Sequence, residues 1–150
     1  MYGHSVSAAI REPLDAPLSA VIDARHQVSI TRLGQRVRVA GGQSLGGSPV
    51  HHSKNELQRL YRVLMDWFPG AARLGGPKGS VQEWRGAQAC LPDAAPMVGE
   101  SPVPRVWLNL GHGASGWAMA CGSARALADQ LQGNSPALDL TPFAPARWLR

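Results

Sequence analysis

Lysine is nearly missing from this sequence: Lys54 and Lys78 are the two among 150 residues. The net charge of +5 and the pI near 10 therefore rest on arginine. A basic balance can signal nucleic acid or an anionic membrane surface. Here the arginines are scattered, no basic run forms a tail or stripe, and no nucleic-acid motif accompanies them, so a nucleic-acid partner is not expected. The charge reads as solvated surface, with room for an anionic ligand or lipid. Cysteine is as scarce. Cys90 and Cys121 form no CxxC pair and lack metal-ligand spacing, so two reduced, buried thiols are expected and no metal. No apolar run approaches the ~20 residues of a spanning helix. Met1–Ala8 is short, polar and free of Lys and Arg, unlike a secretory leader. A soluble or peripheral protein is the expectation.

What is plentiful is glycine and proline, 17 and 12 residues, which predicts many loops and short elements rather than a helical bundle. Tyr2–Ala8 alternates polar and apolar like a strand and begins almost at Met1, so an upstream piece is expected. Ala20–Asp23 reads as a short strand. Gln27–Leu33 and Arg36–Gly42 both alternate with period two, and Gly34-Gln35 between them is a two-residue turn with glycine first, a hairpin signal. Val37 and Val39 should face inward, Arg36 and Arg38 outward.

Ser53-Lys54-Asn55-Glu56 has the spacing of a capping box. Leu57, Leu60, Tyr61, Leu64, Trp67 and Phe68 follow at helical spacing and Pro69-Gly70 stops them, which predicts an amphipathic helix packed on a sheet with its aromatics in the core. A glycine-rich connection covers Ala71–Ser80, and Val81–Trp84 can form a strand. Gly86–Pro104 carries four prolines and no period, and reads as ordered loop. Arg105–Leu110 is a strand, Trp117–Leu131 a helix with Gly133 as its C-terminal cap, and Pro136 and Pro142 belong to an irregular tail.

The strongest chemical signal is Gly111-His112-Gly113-Ala114-Ser115-Gly116-Trp117, a literal GxGxxG between a strand and a helix. Glycines let backbone approach a ligand, and a helix N-terminus offers N–H groups and a positive dipole end. A self-contained dinucleotide unit needs a second strand and an acidic residue about 20 positions on; an irregular tail stands there instead, so that unit is excluded. Periodicity leaves two readings level: a loop that meets a ligand held elsewhere, and a tight turn with no ligand.

Trp107 to Ser123, with its strand, GHG-x-x-GW turn and helix beginning Met119-Ala120-Cys121-Gly122-Ser123, resembles the C-terminal signature of D-amino-acid dehydrogenases within the D-amino-acid oxidase family. Trp84–Gly99 resembles the motif preceding it, Val21–Gly42 the substrate-domain strands, and Tyr2-Gly3-His4-Ser5 the entry into that sheet. The resemblance implies an α+β chain. Residues 1–104 would be an antiparallel substrate-binding sheet with a packed amphipathic helix. Residues 105–150 would be a C-terminal strand, glycine loop and helix that complete a FAD-binding α/β domain whose N-terminal part is absent. It implies FAD-dependent oxidative deamination of a D-amino acid or related small amine to a 2-oxo acid and ammonia. Electrons would pass to a quinone-linked acceptor, in a cytoplasmic protein or one peripheral at the inner face of the cytoplasmic membrane. Gly111, His112, Gly113, Ala114, Ser115, Gly116, Trp117 and Ala118 carry over as flavin contacts, their N–H groups and dipole facing the ring edge that gains charge on reduction.

Two departures matter. The family motif W-x-G-x-R-P-x-T-P-D-G-x-P-x-x-G survives at Trp84, Gly86, Pro92, Asp93, Pro96 and Gly99. Its arginine, which pairs with the substrate carboxylate, is Gln88 here; Ala89, Leu91 and Ala94 replace its proline, threonine and glycine. Gln88 donates hydrogen bonds without charge, which weakens that contact. Arg85, on a strand, would face a different direction. Second, the family's N-terminal GxGxxG strand-loop and ribose-binding acid have no counterpart, so FAD should not survive purification on this chain. The alternative to an enzyme is a catalytically inactive remnant, or a subunit whose partner chain supplies the FAD half; exposed sheet would favour association. His51-His52 read as surface or cap residues. Asp93 and Glu100 do not make a carboxylate pair, and Ser115 lacks a Gly-x-Ser-x-Gly elbow, so a hydrolase is excluded.

Overall fold

The computed structural model describes residues 1–46, 53–77 and 80–148. His51-His52 lie outside the described residues. The chain forms two compact units, Met1–Ala87 and Gln88–Arg150.

The first unit is an antiparallel sheet covered on one face by a helix. Its strands are β1 (Tyr2–Ala9), β2 (Val21–Asp23), β3 (Val28–Leu33), β4 (Arg36–Ser44) and β5 (Val81–Ala87), and its helix is α1 (Lys54–Trp67). The spatial order is β2-β3-β4-β1-β5. The period-two pattern does what it predicts: Val6, Ala8, Val28, Ile30, Val37 and Val39 all turn to one face and are buried. Val39 stands opposite both Val6 and Ile30, so the register aligns the apolar rows of three strands. Gly34 supplies the positive φ, +59°, that the β3–β4 turn requires.

Ser53 caps α1, its Oγ accepting from the Glu56 N–H at 3.4 Å. Leu57, Leu60, Val63 and Leu64 fill the gap above the sheet. Phe68 ends the helix, its N–H donating to Leu64 O at 2.8 Å. Tyr61 and Phe68 pack on the core's margin, but Trp67 does not belong to it. It is 55% exposed and turns its indole N–H to Asp23 Oδ2 at 3.0 Å. Position 67 falls at the edge of the apolar stripe, where a polar partner decides the rotamer. Arg38 is exposed as expected. Arg36 is half-buried, because it reaches across β1 to Ser7 Oγ (2.9 Å), Ser7 O (2.6 Å) and Ser80 O (3.2 Å).

The second unit begins where the sheet ends. β6 (Met97–Glu100) pairs antiparallel with β7 (Trp107–Leu110), and α2 (Gly116–Leu131) follows. The stretch expected to be loop throughout thus contains β6, and β5 runs on to Ala87. β6 has no alternation to reveal it; three of its four residues are buried, so it reads as a continuous apolar step between prolines. As β7's partner, β6 belongs with it to the compact unit that begins at Gln88. Val98, Ala126 and Leu140 form the unit's small core, with Leu127 and Phe143 against it. Gly133, at φ +75°, follows the C-cap Gln132 of α2. The tail is held in two short 3-10 turns, Thr141–Phe143 and Pro145–Arg147. Neither cysteine is fully buried: Cys90 is half-buried and Cys121 exposed, since the small residues of α2 leave most of its surface open. No helix among the described residues is long and apolar enough to cross a membrane.

Candidate functional site

The GxGxxG turn runs from the end of β7 into the first residue of α2, Gly116. Gly111 and Gly113 take φ +80° and +55°, which L side chains resist. His112 and Ser115 sit near ψ 0, and Gly113–Ser115 form one 3-10 turn before α2 begins at Gly116. The sequence alone does not show what the two glycines approach. A Cβ on Gly111 would lie 3.0 Å from Leu91 Cγ, and one on Gly113 3.2 Å from Cys90 Sγ. Gly113 N–H donates to Ala89 O at 2.9 Å, and Cys90 bridges to His112. The glycine turn is therefore seated on the segment next to Gln88. Two motifs 20 or more positions apart become one backbone assembly within the second unit.

Gln88 itself is half-buried at the start of that segment. His112 is half-buried, and its Nε2 is shielded and without a hydrogen-bond partner. Ala114, Ser115 and Ala118 are exposed, and Trp117 is 95% exposed. α2 starts with no side-chain cap and no acidic residue in its first turn. Its positive end is thus neither neutralised nor covered by its own side chains.

Beyond the turn, Asp93 is gripped from the tail. Arg147 Nε donates to Asp93 Oδ2 at 2.6 Å, and Trp148 Nε1 donates to the same oxygen at 3.2 Å. The Arg147 contact first, with Ala95 N–H and Trp148 also contributing, holds the Asp93 carboxyl below the usual carboxylate range. Asp93 thus serves the fold of its loop, and is not paired with Glu100.

In the first unit the family-like Trp84-x-Gly86 has a steric cause: a Cβ on Gly86 would run into the Trp84 ring. Arg85 does not point into solvent. Its guanidinium carbon lies 3.6 Å from the centroid of the Tyr2 ring. His4 is buried beside it in register and donates Nδ1–H to Gly42 O at 2.7 Å. No sequence signal marked these partners, because each pair is joined by tertiary placement.

The geometry has a counterpart among known proteins. Residues 2–130 match the model of the FAD dependent oxidoreductase (DAO) family. The chain belongs to that family. It is 36% identical over 148 residues to D-amino acid dehydrogenase 1 of Mesorhizobium japonicum, covering 99% of this chain and 34% of that protein. It is 39% identical over 142 residues to a D-amino acid dehydrogenase of Phenylobacterium zucineum, covering 95% and 32%. The fold matches crystalline glycine oxidase from Geobacillus kaustophilus with a TM-score of 0.76 at 20% identity, covering 99% of this chain and 40% of that one. The chain thus spans about a third of the length of the curated relatives it matches.

The family's cofactor is FAD. The residues present fit part of it: a turn with left-handed glycines and an uncapped helix start free of acid suit an electron-rich group that gains negative charge.

Proposed function

We propose that this chain contributes the flavin-facing turn and the substrate sheet of an FAD-dependent enzyme that oxidises D-amino acids to 2-oxo acids. The observation that carries the reading is the open start of α2 behind two left-handed glycines, in a chain of this family. FAD, when bound, supplies the hydride acceptor. Gly111 to Ala118 supply the environment: backbone N–H groups and the α2 dipole favour negative charge, without a side-chain acid or base. The seat of the turn on Ala89 and Cys90 keeps its backbone from rearranging. Residues 1–104 serve the substrate on this reading, and 105–150 the cofactor. Electrons leave to a quinone-linked acceptor, with the protein cytoplasmic or peripheral at the inner face of the cytoplasmic membrane. Self-association, or a partner chain holding the rest of the cofactor, completes the site.

One observation favours a second reading. Gln88 stands where the resemblance expects the substrate-pairing arginine, and a neutral amide cannot replace a bidentate cation. A binding subunit or inactive remnant would keep this sheet and turn without turnover.

The test is a titration of the purified chain with FAD, followed by flavin absorbance and circular dichroism. A saturable change that is lost on desalting, and lost in Gly113→Val, is the expected result. An unchanged spectrum at excess FAD would sink the flavin reading. Colour retained after desalting would remove the need for a partner chain. Dye reduction with a panel of D-amino acids then separates the enzyme from the inactive remnant.

A further inference from the structure

The sheet of the first unit has one long open edge. Within that unit β5 is the last strand of the order β2-β3-β4-β1-β5 and pairs with β1 alone. The strand at the other edge, β2, has three residues, whereas β5 has seven, Val81–Ala87, without a proline and without a register shift against β1. A regular edge of that length is a template for another strand, because its outward N–H and C=O groups lack ladder partners. Charged side chains usually guard such an edge. β5 carries two, Glu83 and Arg85, and they are of opposite sign.

Register puts both charges on one side of the sheet. Glu83 stands opposite Val6 and Arg85 opposite His4 on β1, so both share the side on which Val6 meets α1. Glu83 is exposed, and one carboxylate oxygen, Oε1, accepts from the Tyr61 hydroxyl at 2.6 Å. Its other oxygen takes no part in that bond. Arg85 stacks on the Tyr2 ring, and among the described residues no carboxylate pairs with it. On the opposite side of β5, Trp84 is 53% exposed.

We propose that β5 pairs antiparallel with β5 of a second copy of this chain, about a two-fold axis through Trp84. An axis perpendicular to the sheet keeps each side of one copy level with the same side of the other, so it must pass through a residue. Through Glu83 it sets glutamate against glutamate, and through Arg85 arginine against arginine, both repulsive. Axes further along the strand leave both charges unmatched. Through Trp84 it sets Glu83 opposite the partner's Arg85, and Arg85 opposite the partner's Glu83. Each arginine thereby gains the carboxylate that its own unit does not give it. On the other side of the sheet the exposed Trp84 meets its counterpart as an aromatic cross-strand pair. The two five-stranded sheets become continuous, with both α1 helices on one side. The charges that would guard this edge against other strands thus select its own copy.

The pairing does not depend on the flavin reading, so the whole chain is tested without FAD. Sedimentation across a range of concentrations should show a monomer–dimer equilibrium. Amide exchange followed by NMR should show every second N–H of β5 gaining protection as the dimer forms, because alternate groups point to the free edge. Glu83→Arg and Arg85→Glu should each weaken the dimer about tenfold or more, since two attractive pairs become two repulsive ones. Mixed together, the two variants should form a one-to-one dimer, because each then meets the opposite sign in the partner. Arg38→Glu, an exposed site on β4, should leave the dimer intact. A chain that stays monomeric at every concentration overturns the proposal. So does a dimer that survives both reversals, or a pair of variants that stay apart when mixed. Outward β5 amides protected equally at low and high concentration would place another segment of the chain on that edge and overturn it as well. The exchange experiment needs only the unaltered chain, so it decides the matter even if a charge-reversed variant does not fold.

Discussion

Arg147 holds Asp93 across 54 positions of chain, with Nε 2.6 Å from Oδ2 and Nη2 3.4 Å from Oδ1. The same guanidinium reaches Ala95 O at 2.8 Å and Pro96 O at 2.9 Å. One tail side chain thus ties down the turn after the Gln88 segment.

The sign of its pH dependence follows from the lowered Asp93 carboxyl. A group whose folded pKa is depressed stabilises fully above its unfolded value, about 3.9 for Asp, and loses that contribution as pH falls through the folded value. Denaturant melts of the second unit, followed by Trp148 emission, should weaken below about pH 4. Arg147→Ala should lower the midpoint at neutral pH and shrink that acid-dependent loss. An unchanged acid limb in the variant would show that the clamp does not act through Asp93.

A second carboxylate clamp ties β2 to the end of α1. Asp23 Oδ2 accepts from Trp67 Nε1 at 3.0 Å and meets His26 Nδ1 at 2.8 Å. The indole contact first, then His26, holds this carboxyl far below its usual range. Asp23→Ala should lower the melting temperature and change Trp67 emission. The emission change should vanish when Trp67 is already Phe.

The sheet–helix core should behave as a packed interior. Leu60 and Leu64 are both 0% exposed. Leu60→Ala should cost about 2–5 kcal/mol in urea unfolding, from lost transfer energy and the cavity left behind. A cost under about 1 kcal/mol would mean that α1 is not packed on the sheet as described.

Gly86→Ala should displace the Trp84 ring, since the added methyl falls on it. The cost should shrink in the double variant Trp84→Ala/Gly86→Ala, because the obstruction is gone. A double-mutant cycle by thermal melting reads the coupling, and additive costs would refute the contact.

Local chemistry explains what was legible. The Ser53 cap, the Gly34 turn and the Val37/Val39 alternation are each decided within a few residues, so periodicity and turn residues reveal them. β6 was hidden because Met97-Val98-Gly99-Glu100 has no alternation and becomes a strand by pairing with Trp107–Leu110. Trp67 read as core because helical spacing marks which face a residue is near, not whether an aspartate on another strand draws it outward.

The candidate site divides the same way. The residue types and order of Gly111–Trp117 determine a strand-to-helix turn with an open helix start, because glycine conformational freedom and helix ends are local properties. By itself the sequence also determined the arginine-rich charge, the two-layer first unit and the family's motif order. Tertiary structure decided that the glycine turn rests on Ala89 and Cys90, that Asp93 belongs to Arg147, and that Arg85 lies on Tyr2 beside His4. Those contacts join residues 20 to more than 80 positions apart. Their geometry is set by strand register and packing, which no local pattern encodes.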